Sequence, residues 1–208
     1  MTYAQIAALA SIACERGISI ASHDDDSAEK LAFMDGLEAS ISEFPISLDV
    51  AREARARGLH TVAGAPNVML GHSHSGNLSA REAVEAGAID VLCSDYYPAA
   101  LLDAVFTLRD ECGLDIARAF ALVSANPAKA AGIADEVGSL AVGKRADVLL
   151  VREIACGEAG TRTMPVVTRA FVGGRSVFRS HYPDQPLGYA RDLGEHVQVR
   201  RALASEAV

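Results

Sequence analysis

Four short, nearly all-apolar segments constrain this chain more than any other feature: ISIAS (18–22), ISEFP (41–45), HTVAG (60–64) and IDVLC (89–93). Strands that read as unbroken apolar runs are covered on both faces, and parallel strands need a crossover, usually a helix, between them. The stretches between the four segments have helical spacing. Helices are expected over residues 4–14, 26–37, 48–57, 79–87 and 98–111, with stops at Gly17, Gly58 and Gly87 and a polar loop over 65–77. Asp26 with Glu29 and Ser79 with Glu82 have capping-box spacing, and Pro98 suits a first helical position. The alternation predicts parallel βα units and an α/β fold. Each strand runs into a polar, chemically capable residue: His23, Glu43, Asn67 and Asp95. Ligands of parallel α/β folds gather at the carboxyl ends of strands, so these four are the first candidates for a site. The regular spacing suits a (β/α) barrel, of which four units are half.

The pattern changes after Asp115. Two apolar helical stretches, 116–125 and 126–132, precede GSLAVGKRAD (138–147) and the strand 148–151. Strands at 165–172 and 175–178 flank Gly173-Gly174, a hairpin signal. The expected organisation is half a barrel over 1–135, a small β-domain segment of a sandwich over 136–179, and a polar, Arg-rich extension over 180–208. A net charge of −8, from 27 acids and 19 bases, argues against a surface that attracts nucleic acid or anionic membrane. The four cysteines show no CxxC spacing and read as thiols of a reducing compartment. No basic leader and no run near the roughly 18 apolar residues of a membrane span is present, so the expectation is a cytoplasmic protein.

Each candidate has a functional and a plainer reading. A neutral imidazole at a strand mouth ligates divalent transition metals, and the acids after His23 in HDDDS can orient it; alternatively Asp26 caps a helix and His23 is incidental. Asp95, between an apolar strand and Tyr96-Tyr97-Pro98, is placed to bind metal and take a proton from attacking water, or to cap a helix. Glu43 lies in an otherwise apolar strand, where a carboxylate is costly unless paired with a cation or a metal. In GHSHSGN (71–77) the HSH spacing invites a metal. The glycines, serines and following capped helix fit an anion cradle better, in which His72, Ser73, His74, Ser75, Gly76 and Asn77 meet phosphate oxygens. A flexible polar loop is the remaining reading. Tyr96 and Tyr97 offer a stacking face or a hydroxyl, or pack under the rim. His60, at the amino end of its strand, reads as structural; His181 and His196 read as incidental.

HDDDS (23–27), ISEFP (41–45), GAPNVMLGHSHSGN (64–77) and SDYYPAALLDA (94–104), with SANPAKAAGI and GSLAVGKRADVLLV behind them, resemble the carboxyl half of the PhnM-type enzymes of phosphonate utilisation. These are amidohydrolase-superfamily members that hydrolyse α-D-ribose 1-methylphosphonate 5-triphosphate to the 5-phosphate and diphosphate. The resemblance spans about residues 1–178. It implies strands five to eight of a metal-dependent (β/α)8 barrel plus a small β-domain, with His23, Glu43, Asn67 and Asp95 closing those strands in turn. It further implies zinc or manganese held by His23, Glu43 and Asp95, Asp95 as catalytic base, and Asn67, Tyr96 and the 72–77 loop on a small phosphorylated substrate. Two departures stand out. The first four strands are absent, and Glu43 replaces the superfamily's usual strand-six histidine. Two rival readings follow: a catalytically silent half-barrel or half-enzyme needing a separate amino-terminal half, and an amidohydrolase acting on a C–N bond. A neutral amide needs no anion cradle, which argues against the second. Exposed sheet edges imply a homo-oligomer or a complementing half as partner.

Overall fold

Hydroxyl side chains start four of the eight described helices. In the computed structural model, which describes residues 2–71, 78–156 and 162–182, Thr2 and Gln5 form a reciprocal capping box that opens α1 (Tyr3–Glu15). Ser27, Ser47 and Ser79 each accept the N–H three residues on, opening α2 (Ala28–Asp35), α3 (Leu48–Ala56) and α5 (Ala80–Glu85). Asp115 does the same for α7 (Ile116–Ala121). The remaining helices are α4 (Ala65–Leu70), α6 (Ala100–Cys112) and α8 (Ala125–Ala130). The strands are β1 (Ala21–His23), β2 (Ile41–Glu43), β3 (His60–Gly64), β4 (Val91–Cys93), β5 (Val148–Cys156), β6 (Arg162–Val172) and β7 (Arg175–Arg179).

The chain divides into two compact units, Met1–Lys144 and Arg145–Val208. In the first, β1-β2-β3-β4 form a parallel sheet in sequence order. One face, carrying Ala63 and Leu92, packs on Val68, Val84, Ala104 and Leu108 of the helical layer. The opposite face carries Val62 and Val91, which pack with Ala130 of α8 and with Ile41 and Cys93. Alanine dominates the helix-facing core and lets helices lie close to the strands. In the second unit, β5-β6-β7 make a single antiparallel sheet, its β6–β7 turn at Gly173-Gly174. No described helix is long and apolar enough to cross a membrane.

The α/β expectation and the order of parallel units hold. Three local expectations change. Residues 65–70 are helical, not loop, because Pro66 in the first turn needs no hydrogen-bond acceptor and Gly71, at φ 74°, ends the helix left-handed. Ser27 rather than Asp26 caps α2; Asp26 instead accepts from the Ser27 hydroxyl at 3.0 Å. Pro98 lies in a turn ahead of α6, whose cap is Ala99. The second unit shows one sheet of three strands among its described residues; the expected sandwich would need another.

Polar groups are threaded through the helix-facing side. Ser22 and Ser42 are register partners on β1 and β2, both buried, and both hydroxyls donate to the fully buried carboxylate of Asp25. Thr61, next in the row, donates to Ala88 O at 2.6 Å. Asp25 thus satisfies two hydroxyls that the sheet buries. Asp25→Ala is expected to destabilise the first unit by about 2–3 kcal/mol, because two buried hydroxyls lose their acceptor. In a Ser22→Ala/Ser42→Ala background the same change is expected to cost about 1 kcal/mol or less. Urea midpoints measure both, and equal costs in the two backgrounds contradict the shared network. In the second unit, hydrogen bonds from the Arg145 side chain and the Gly173 N–H hold the Asp147 carboxyl below the usual carboxylate range. A depressed folded-state pKa gives stability that is complete above the unfolded value of about 4 and lost as pH falls through the folded value. Circular dichroism is expected to show an acid-induced loss in this unit below about pH 4, and Asp147→Asn is expected to flatten that dependence.

Candidate active site at the carboxyl end of the parallel sheet

Parallel pairing sets the site before any side chain is considered. The register places His23 beside Glu43, and Gly64 beside Cys93, at the carboxyl ends of β1 to β4. Side chains alternate across a strand, so His23, Glu43, Val62, Gly64, Val91 and Cys93 share the face turned away from the helical layer.

Left-handed backbone turns the chain outward just past these ends. Asp24 (φ 54°), Phe44 (φ 55°) and Asp95 (φ 49°) follow β1, β2 and β4. Asp tolerates this region; a Phe there is a strained position that the surrounding structure must hold, and such positions cluster at functional sites. The strain has visible support. The Phe44 ring stands edge-on to His23, with centroids 5.2 Å apart. A Cβ on Gly64 would lie 3.4 Å from Phe44 Cε1 and 3.6 Å from Asp95 Oδ2. Phe44 therefore bridges His23 on one side and the Gly64–Asp95 corner on the other, linking residues from all four strand ends.

Electrostatics agree. Burial pushes the Cys93 thiol up, and the negative charges of Glu43 and Asp95 push it further in that direction. The Asp95 N–H opposes them. His23 is more than half exposed, and its Nδ1 lies 3.0 Å from Asp24 Oδ2. Lys30, in the first turn of α2, donates to His23 O at 2.7 Å and Asp24 O at 2.8 Å, and lies 3.6 Å from Asp25 Oδ1.

Of the residues singled out from sequence, His23, Glu43 and Asp95 stand at this one end of the sheet. Asn67 does not close β3, which ends at Gly64; it lies inside α4, three residues on. Tyr96, 66% exposed, follows Asp95 in the turn before α6. His72, Ser73, His74, Ser75, Gly76 and Asn77 lie outside the described residues; the segment is approached from Gly71, beside which the Arg81 guanidinium packs while bonding Val68 O. His60 belongs to the opposite end, where its Nδ1 lies 2.8 Å from Asp90 Oδ2 in a network with Arg55 and Thr61. Phe44 and Lys30 escaped the sequence reading, and Asp25, read there among the acids that can orient His23, instead accepts from Ser22 and Ser42. A lysine in the first turn opposes the helix dipole, so Lys30 is the one a reader could have suspected of a specific partner.

Imidazole and carboxylate donors suit a divalent transition metal. Their number falls short: among the described residues, no three His, Cys, Asp or Glu side chains come together closely enough to hold one. His23, Glu43 and Asp95 are thus part of a donor set at most.

The Amidohydrolase family model matches residues 1–177. Alpha-D-ribose 1-methylphosphonate 5-triphosphate diphosphatase of Escherichia coli (strain K12) is 41% identical over 144 residues, covering 68% of this chain and 38% of that protein. Among solved structures, an amidohydrolase from Thermotoga maritima MSB8 aligns with a TM-score of 0.58 at 18% identity over 79% of this chain and 44% of its own. An adenosine deaminase from Xanthomonas campestris with bound zinc aligns at 0.59 and 14% identity over 97% and 54%. The chain therefore spans between a third and just over half of the length of these relatives.

The corner at Gly64 tests the convergence. Gly64→Ala adds a methyl group at ordinary contact distance on an unstrained backbone and is expected to change stability by less than about 1 kcal/mol. Gly64→Phe must displace Phe44 and Asp95 and is expected to cost about 1–3 kcal/mol in thermal unfolding. Equal stability of the two variants contradicts the packing of Phe44 and Asp95 over this glycine.

Proposed function

The chain belongs to the amidohydrolase family, and we propose that it carries the catalytic end of a hydrolase that releases diphosphate from α-D-ribose 1-methylphosphonate 5-triphosphate. The convergence of His23, Glu43 and Asp95 at one end of a parallel sheet carries this reading, and the E. coli diphosphatase supplies the substrate class. In it the described strands are the last four of a (β/α)8 barrel, and the residues that complete the site come from βα units outside this chain. The open β1 side supports that arrangement. A groove of about 360 Å³ beside it is lined by Ile6, Leu9 and Ala13 of α1, Ile20 and Ala21 at the strand, and Met34 of α2. No described residue of α1 is buried, so this helix has an apolar face for a further unit to cover.

Asp95 is the base. Its carboxylate takes a proton from water as the water oxygen bonds to a phosphorus of the triphosphate; the anhydride P–O bond breaks, and diphosphate leaves with the electron pair. His23, Glu43 and Asp95 would be this chain's share of the donors to a divalent metal, zinc or manganese, which would supply charge neutralisation if the remaining donors came from outside this chain. His72, His74 and the rest of the 72–77 segment receive the departing phosphate oxygens, and Asn67 and Tyr96 are placed to contact the substrate from α4 and the turn after β4. A second reading follows from the incomplete donor set: alone, the chain is catalytically silent and works only with the missing half of the barrel.

A chimera in which this chain replaces the matched stretch of the E. coli diphosphatase tests the function. Phosphorus NMR is expected to show diphosphate and the ribose 5-phosphate ester as products. Asp95→Asn is expected to slow release by at least about 100-fold. A folded chimera that releases no diphosphate, or an Asp95→Asn chimera at the wild-type rate, contradicts the assignment; hydrolysis of a cyclic amide in its place supports C–N chemistry.

A further inference from the structure

The fold imposes a left-handed backbone on residue 44 from both sides. Its N–H donates to Val62 O at 2.9 Å, and two residues on the Ile46 N–H donates to Asp25 O at 3.0 Å. Between these bonds the chain turns at φ 55° into the buried Pro45. Glycine adopts that conformation without penalty and a bulky side chain does not; a residue before proline is also driven towards extended backbone. Phe44 goes against both preferences while its ring is only half-buried, so the reason for this residue lies in what the ring meets. On one flank stands His23, edge-on at 5.2 Å. On the other is the space over Gly64, where a Cβ would lie 3.4 Å from Phe44 Cε1 and 3.6 Å from Asp95 Oδ2. Gly64 has ordinary extended backbone (φ −77°, ψ 130°), which does not call for glycine; its missing side chain leaves the room that ring edge and carboxylate share. An aromatic ring is positive at its edge, which suits it to face a carboxylate. Asp95 is exposed, and among the described residues its carboxylate makes no hydrogen bond or ion pair.

We propose that Phe44 is a positioning residue: its ring, backed by His23, holds the Asp95 carboxylate in one rotamer over Gly64 and so aims it across the sheet's carboxyl end. A group already aimed when the substrate arrives needs no reorganisation at the moment of reaction, and misplacement by about 1 Å can cost on the order of 100-fold in rate. The catalytic meaning of this rests on the reading of Asp95 as the base; the positioning itself does not. A Phe44 that served packing alone would show on removal as lost stability with Asp95 in its wild-type rotamer.

The test uses the full 208-residue chain labelled with ¹³C and ¹⁵N, in which three-bond couplings from Asp95 Cγ to its own amide nitrogen and carbonyl carbon report χ1. The wild type is expected to show one rotamer. Phe44→Gly, which suits the backbone and removes the ring, is expected to average Asp95 over several rotamers, and Phe44→Tyr to keep the wild-type couplings. Should the glycine variant fail to fold, Phe44→Asn takes its place, since asparagine enters the left-handed region more readily than most side chains. Averaged couplings in the wild type overturn the proposal, as does a single Asp95 rotamer in folded Phe44→Gly or Phe44→Asn. In the chimera with the E. coli diphosphatase, Phe44→Gly is expected to lower kcat by about 10–100-fold while KM changes by less than about threefold. Rotamer averaging with kcat unchanged keeps Phe44 as the residue that positions Asp95 and removes Asp95 as the base.

Discussion

Parallel strand polarity is the constraint on which everything else depends. Each strand returns through a helix before the next begins, so all four run the same way and all four ends are delivered to one side. Residues 23, 43, 64 and 95 are far apart in sequence and neighbours in space for this reason alone. Side-chain alternation then decides which of them face away from the helical layer, and the left-handed residues after β1, β2 and β4 turn the chain out over the sheet's end. Local helix caps made of serine, threonine and aspartate fix where each crossover starts, so sequence-local chemistry sets a non-local geometry.

The two ends of the sheet have been given different work. At the amino end, Asp90 collects Arg55, His60 and the Thr61 backbone and hydroxyl, leaving these groups mutually satisfied. At the carboxyl end, burial and the charges of Glu43 and Asp95 raise the Cys93 thiol, and the imidazole of His23 stands exposed at the same end. A satisfied network stabilises, whereas the exposed His23 and Asp95 at the other end are open to a ligand. The same contrast runs through HDDD: Asp25 is consumed in holding two strands together, and Asp24 stands exposed beside His23.

Much of this was legible in the residues. The four apolar runs gave the strands, Ser79 with Glu82 gave the start of α5, and Gly173-Gly174 gave the β6–β7 turn, because each depends on neighbours a few positions away. Alternation of strands and helices was enough to put His23, Glu43 and Asp95 at one end of the sheet. What escaped depends on distant partners. The stretch 65–70 looked like loop because Pro66 and Gly71 flank too few residues to show a period, and Asn67 was misplaced with it. Asp25 reads like its neighbours until the register sets Ser22 opposite Ser42 above it. Phe44 gave no sign that it would adopt a left-handed backbone, since that follows from the pieces packed around it.

Paramagnetic broadening by Mn²⁺ in the isotopically labelled chain tests the central claim, a common carboxyl-end site, most directly. The account predicts that the amide signals of His23 and Asp24, of Glu43 and Phe44, and of Cys93 and Asp95 broaden together as the ion is titrated in. Broadening centred on His60 and Asp90 at the opposite end of the sheet, or scattered over the surface acids with no focus, would contradict it.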